Sequence, residues 1–122
     1  MAAPRISFEF FPPRTAEQQL VLESTWQKLA PLNPEYLSVT FGAGGSTLEA
    51  TRETVMALTS QTNVPVATHI SCMAPSVQML HDILSGYRDS GVERLVVLRG
   101  DRPEGHAGPG PFQYANELVA WI

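Results

Sequence analysis

The chain has 122 residues, a net charge of −4 and 43% hydrophobic residues, proportions that fit one globular unit. Its acidic balance leaves no basic stripe to neutralise phosphates, which excludes broad nucleic-acid binding, and no apolar run reaches the roughly 20 residues that span a bilayer. The single cysteine, Cys72, excludes an internal disulfide and suits a reducing cytoplasm, and the first residues lack the apolar core of a signal peptide.

The first strand-like run, Arg5 to Phe11, is ended by Pro12 and Pro13. Thr15 with Gln18 has capping-box form and predicts a helix. Leu22, Trp26 and Leu29 share its apolar face, and Pro31 and Pro34 close it. A second run, Glu35 to Phe41, leads through Gly42-Ala-Gly-Gly-Ser-Thr47 into another capping box, Ser46 with Glu49, and then Leu48, Val55 and Leu58 at helical spacing. The third run, Val64 to Ser71, precedes a helix that starts near Pro75, with Pro75 in its first turn. Its apolar face is Val77, Leu80, Leu84 and Tyr87, and Gly91 ends it. The fourth run, Glu93 to Arg99, is apolar on consecutive positions from Leu95 to Leu98, as expected of a strand covered on both faces. A Gly/Pro-rich loop from Asp101 to Pro111 follows, then a helical pattern through Tyr114, Leu118 and Trp121.

Strand–helix alternation with short connections predicts right-handed βαβ units and a parallel sheet. A doubly wound open sheet and a (β/α)8 TIM barrel both satisfy that pattern. The barrel is favoured because each run ends in or near a polar residue: Glu9, Thr40, His69 and the Arg99-Gly100-Asp101 turn. Such barrels typically need about 250 residues. Residues 1–122 are therefore read as the N-terminal half of a larger catalytic barrel, about its first four βα units.

Glu9 stands among aromatic residues, where desolvation would raise its pKa and suit it to general-acid work. A plain ion pair with Arg14 or Arg99 is the competing reading. The glycine loop after Thr40 gives a ligand close access to backbone N–H groups, yet it is neither a P-loop nor a dinucleotide fingerprint. A tight strand–helix turn explains it equally. His69 reads most simply as a hydrogen-bonded strand histidine, His81 and His106 as solvated, and Cys72 as a small packing residue. Arg99 and Asp101 have the simple reading of a local salt bridge. The loop they open is long enough to suggest function.

Ser7-Phe-Glu-Phe-Phe-Pro-Pro-Arg14, Ser38-Val-Thr-Phe-Gly-Ala-Gly-Gly-Ser-Thr47, Thr68-His-Ile-Ser-Cys72 and Val97-Leu-Arg-Gly-Asp101, in this order, resemble the methylenetetrahydrofolate reductase family. The resemblance implies an FAD-containing (β/α)8 barrel oxidoreductase of one-carbon and methionine metabolism. It would reduce 5,10-methylenetetrahydrofolate to 5-methyltetrahydrofolate with NADH or NADPH, the two substrates using the flavin in turn. Glu9 matches the general acid that protonates N10 of the folate, and Asp101 matches the aspartate that contacts the pterin beside the flavin. Thr40, Phe41, Ala43 and His69 match positions lining the flavin and nicotinamide site, Thr40 also facing substrate. Arg99, Gly100, Tyr114 and Ala115 match FAD-binding positions. Phe41 departs from the Tyr or Trp of the family and loses any polar contact from that ring.

A metal-dependent barrel hydrolase or lyase using Glu9, His69 and Asp101 is the alternative from another class, although the resemblance implies no metal. A third reading is a non-catalytic half-barrel, with two sheet edges and an apolar inner face that invite self-association.

Overall fold

The computed structural model describes residues 2–41, 48–101 and 110–122. Its strands are β1 (Ser7–Phe10), β2 (Tyr36–Val39), β3 (Val66–Ser71) and β4 (Arg94–Leu98). They form one parallel sheet in the order β1-β2-β3-β4. The helices are α1 (Ala16–Leu29), α2 (Leu48–Gln61), α3 (Val77–Asp89) and α4 (Ala115–Trp121). Each crossover among the described residues sets the next strand beside the last, with no reversal of order. This α/β arrangement is consistent with the start of a (β/α)8 barrel.

Register separates the sheet into two chemically different faces. Glu9 pairs with Ser38, Ser38 with Ala67, Ala67 with Arg94 and His69 with Val96. Because strand side chains alternate, Ser7, Glu9, Ser38, Ala67, His69 and Ser71 share one face. Phe8, Phe10, Leu37, Val39, Val66, Ile70 and Val97 share the other.

The apolar face carries the helices. Phe10, Leu37 and Val39 pack with Leu22 and Trp26 of α1 and with Val55 and Leu58 of α2. Ile70 and Cys72 pack with Leu80 of α3 and Leu118 of α4, with Val97 beside them. Each fully buried aliphatic side chain contributes about 1.5–3 kcal/mol relative to exposure, so this face dominates the stability of the sheet. The opposite face is largely polar, not the apolar inner surface expected of a self-associating half-barrel.

Local signals set the helix boundaries. Thr15 Oγ1 accepts from the Gln18 N–H at 3.1 Å, and the Gln18 side chain accepts from the Arg14 N–H at 2.8 Å, one residue earlier than in a standard box. Pro31 does not stop the chain abruptly; it sits in a 3-10 turn, Ala30–Leu32, after which Asn33 turns the backbone at φ 51°. α3 starts later than its sequence suggests. Ser76 is the N-cap, accepting from the Met79 N–H at 3.1 Å, and Pro75 lies outside the helix. The serine hydroxyl offers the acceptor that proline lacks. Val77, now the first helical residue, is exposed and leaves the apolar face to Leu80, Ile83, Leu84 and Tyr87.

The end of α3 follows its glycine. Gly91 has φ 86°, its N–H donates to the Arg88 carbonyl at 3.0 Å, and the Val92 N–H donates to the Tyr87 carbonyl at 3.0 Å. This is the paired bonding of a Schellman cap. At α4, Glu117 Oε2 accepts from the N–H groups of Gln113 and Tyr114 at 2.8 and 3.0 Å. The expected box of Ser46 with Glu49 falls partly outside the described residues.

Candidate active site

Three adjacent strands bring Glu9, Ser38 and His69 to one point on the polar face. Glu9 Oε1 lies 2.9 Å from His69 Nε2 and 3.4 Å from Ser38 Oγ. His69 is buried, and its Nε2 is sealed from solvent without a properly aligned hydrogen bond among the described residues. The approach to Glu9 is therefore close but off the N–H axis. Ser38 is also buried, beneath the carboxylate. Both contacts fall on the same oxygen, and Oε2 has no partner among the described residues.

Glu9 does not occupy the apolar enclosure its sequence neighbours suggest: its side chain is 55% exposed. The pleat is the reason, since Phe8 and Phe10 point to the opposite face. Nor does it pair with Arg14 or Arg99; its partners come from β2 and β3.

Thr40 follows β2. Its N–H donates to the Phe10 carbonyl at 3.0 Å, and its own carbonyl accepts from Thr51 Oγ1 at 2.9 Å. Buried Thr51 thus fastens the first turns of α2 to the end of β2. Phe41 is half-buried. Ala43, the rest of the loop 42–47, and His106 lie outside the described residues.

At the end of β4 the Leu98 carbonyl accepts from the Cys72 N–H at 3.1 Å, and Gly100 then turns the chain at φ 77°. A Cβ on Gly100 would stand 2.8 Å from Met73 Cγ and 3.1 Å from Ser71 Cβ. Arg99 does not pair with Asp101; its guanidinium carbon lies 5.5 Å from the centroid of the Tyr114 ring. A cation over an aromatic face is favoured where the carboxylate is free to solvate. Asp101 is exposed, and no hydrogen bond or ion pair among the described residues joins it to Glu9 or His69. Ala115, the first residue of α4, is half-buried.

Burial pushes the Cys72 thiol up from its ordinary value, with Glu117 adding to the rise, in keeping with a packing role. Burial likewise raises the Tyr87 phenol. The neighbouring Thr68 hydroxyl, which donates to the His69 carbonyl at 3.3 Å, favours the ionised phenol, and Tyr87 Oη has no well-aligned hydrogen bond among the described residues. His81 is exposed, as expected.

Two contributors escape a reading of strand ends. Ser38 sits directly opposite Glu9 in register, detectable only as a lone hydroxyl residue between apolar neighbours. Gly110 has no sequence signal beyond its loop; a Cβ there would stand 2.7 Å from the Cys72 carbonyl oxygen. The chain thus returns from the long loop directly against the end of β3. Glu9, His69 and Asp101 are not gathered as metal ligands: among the described residues no group of three or more His, Cys, Asp or Glu side chains is placed to hold an ion. No helix of the described residues is long and apolar enough to cross a membrane.

The family model described as methylenetetrahydrofolate reductase matches residues 1–122. The chain belongs to the methylenetetrahydrofolate reductase family. It is 36% identical over 117 residues to the 5,10-methylenetetrahydrofolate reductase of Pectobacterium carotovorum, covering 96% of this chain and 39% of that protein. It is 35% identical to the protein of the same name from Escherichia coli, with the same coverage. A probable methylenetetrahydrofolate reductase (NADH) of rice is 32% identical over 120 residues, covering 95% of this chain and 20% of the rice protein. The chain therefore spans about two-fifths of the bacterial relatives.

Proposed function

We propose that these residues form the first half of an FAD-dependent (β/α)8 barrel. It reduces 5,10-methylenetetrahydrofolate to 5-methyltetrahydrofolate with NADH or NADPH, serving one-carbon and methionine metabolism in the cytoplasm. The observation that carries this reading is the convergence of Glu9, Ser38 and His69 on the helix-free face of a sheet whose sequence belongs to this family.

The residues at the end of β4 fit FAD. Arg99 offers an exposed cation for the phosphates, held over Tyr114, and Gly100 turns the backbone without a side chain in the way. When bound, FAD supplies the two-electron carrier that receives hydride from the nicotinamide and returns it to the folate.

Glu9 is the proton donor. Its carboxyl protonates N10 of the folate as the methylene bridge opens to an iminium ion at N5, the electrophile that accepts the hydride. A carboxyl fixed on a strand beside two partners supplies this proton without losing it to random orientation, a contribution of typically 10²–10⁴-fold. Asp101, exposed at the end of β4, has its carboxylate available for the pterin N–H groups. Thr40 and Phe41, just after the end of β2, would help to hold the flavin and nicotinamide.

The test uses the complete natural polypeptide. Glu9→Gln should retain bound flavin and its reduction by NADH or NADPH, and should reduce folate at least a hundredfold more slowly. Undiminished folate reduction by this variant refutes the assignment, and a protein that neither retains flavin nor reduces folate refutes the function.

A further inference from the structure

Resting on that function, we infer that Ser38 and His69 are positioning residues that clamp Oε1 of Glu9, so that Oε2 is the oxygen that exchanges the proton with substrate. The two contacts come from different strands, register 29 and 60 residues away in sequence onto one atom, and leave the second oxygen without a partner among the described residues. Oε1 can only accept from a serine O–H and an imidazole N–H. A carboxyl whose Oε1 accepts two hydrogen bonds carries its own proton on Oε2. The clamp thus selects the reactive oxygen and its direction.

The geometry is poised, not complete. Ser38 Oγ stands at the long distance of 3.4 Å, and His69 Nε2, sealed from water, is close to Glu9 but misaligned. Catalytic hydrogen bonds are often long or bent before substrate arrives and tighten in the complex. Glu9 Oε1 lies within reach of Nε2, so a small rotation of the carboxylate satisfies both donors. In the tightened geometry the imidazole donates from Nε2 to Oε1.

The experiment is a double-mutant cycle in the complete natural polypeptide, reading the single-turnover rate of folate reduction. Ser38→Ala is expected to slow this step about tenfold when Glu9 is present, the value of a hydrogen bond to a charged group. On a Glu9→Gln background it should change the rate less than twofold, and Ser38→Thr, which keeps the hydroxyl, should recover most of the loss. Equal slowing on both backgrounds overturns the inference, because a purely structural serine acts regardless of Glu9. Isotope-edited infrared spectra provide the second readout. The carboxyl band of Glu9, identified by its absence in Glu9→Gln, should shift in Ser38→Ala and in His69→Leu. An unmoved band overturns the clamp. This spectrum decides even if the wild-type protein reduces no folate, an outcome that would refute the function and not the clamp.

Discussion

Gly100 and Gly91 share a left-handed backbone but differ in surroundings, which allows the cost of crowding beside the candidate site to be isolated. Gly91 has φ 86° and open space where a Cβ would stand. Gly100 has φ 77°, with Met73 Cγ at 2.8 Å and Ser71 Cβ at 3.1 Å from the same point. Placing alanine in the left-handed region costs about 1–2 kcal/mol, partly offset by about 0.4–1 kcal/mol from the reduced freedom of the unfolded chain. Gly91→Ala should therefore destabilise by about 1 kcal/mol. Gly100→Ala carries the same strain plus overpacking of about 1–3 kcal/mol, for a total of about 2–4. Urea denaturation of the complete natural polypeptide measures the difference. With a slope of about 2 kcal/mol/M, the midpoint of Gly100→Ala should lie about 1 M below that of Gly91→Ala. Adding Met73→Ala, which removes the nearest atom, should narrow the specific penalty of Gly100→Ala without abolishing it, since Ser71 remains. Equal midpoints for the two glycine variants would refute the reasoning and show that the turn opens freely.

Other expectations follow from the packing and the caps. Leu80→Ala, at a fully buried site between α3 and β3, should cost about 2–5 kcal/mol by urea denaturation, against under about 0.5 for the exposed Val119→Ala. Ser76→Ala removes the acceptor of the Met79 N–H and should cost about 1 kcal/mol, with hydrogen exchange accelerated first in the opening turn of α3. Tyr87→Phe removes a buried hydroxyl with no well-aligned hydrogen bond among the described residues and should be neutral or stabilising, measured by the same denaturation midpoint. Because burial raises the Cys72 thiol, and the unfolded chain releases that proton first, its contribution is fully present below the ordinary thiol range and declines as pH rises through it toward the folded value; Cys72→Ala should flatten that part of the stability–pH curve.

The fold was legible wherever one residue type answered one local requirement. Thr15, Gly91 and the faces carrying Trp26, Leu58 and Leu80 each act within a single turn or helix, and the structure places them where the sequence suggests. Pro75 misleads because proline and serine both favour helix starts, and only the Ser76 hydroxyl can accept the free N–H. The candidate site was legible by position and less so by environment. Glu9, Thr40, His69 and the turn after Arg99 do stand at or near the ends of four strands, but the aromatic neighbours of Glu9 in sequence are not its neighbours in space. Reading Phe8 and Phe10 as its walls ignores the two-residue period of a strand, which sends them into the helix-covered core.

The same period explains why the partners of Glu9 were harder to find than Glu9 itself. A partner across a parallel sheet is separated by a whole βα unit, so its identity depends on register, which no local pattern states. Register here is fixed by the opposite face: Phe10, Leu37, Val39 and Ile70 must all reach the helices, and a slip of one residue in any strand would expose its apolar set. Once those side chains face the helices, Glu9, Ser38 and His69 must share the other face, where the pairing sets Glu9 opposite Ser38 and His69 two residues beyond Ala67. The hydrophobic core thus sets the geometry of the polar cluster without touching it. A substitution that shifted β2 by one residue would bury Ser38 among the helices and withdraw one of the two groups that hold Glu9, even with every candidate site residue unchanged.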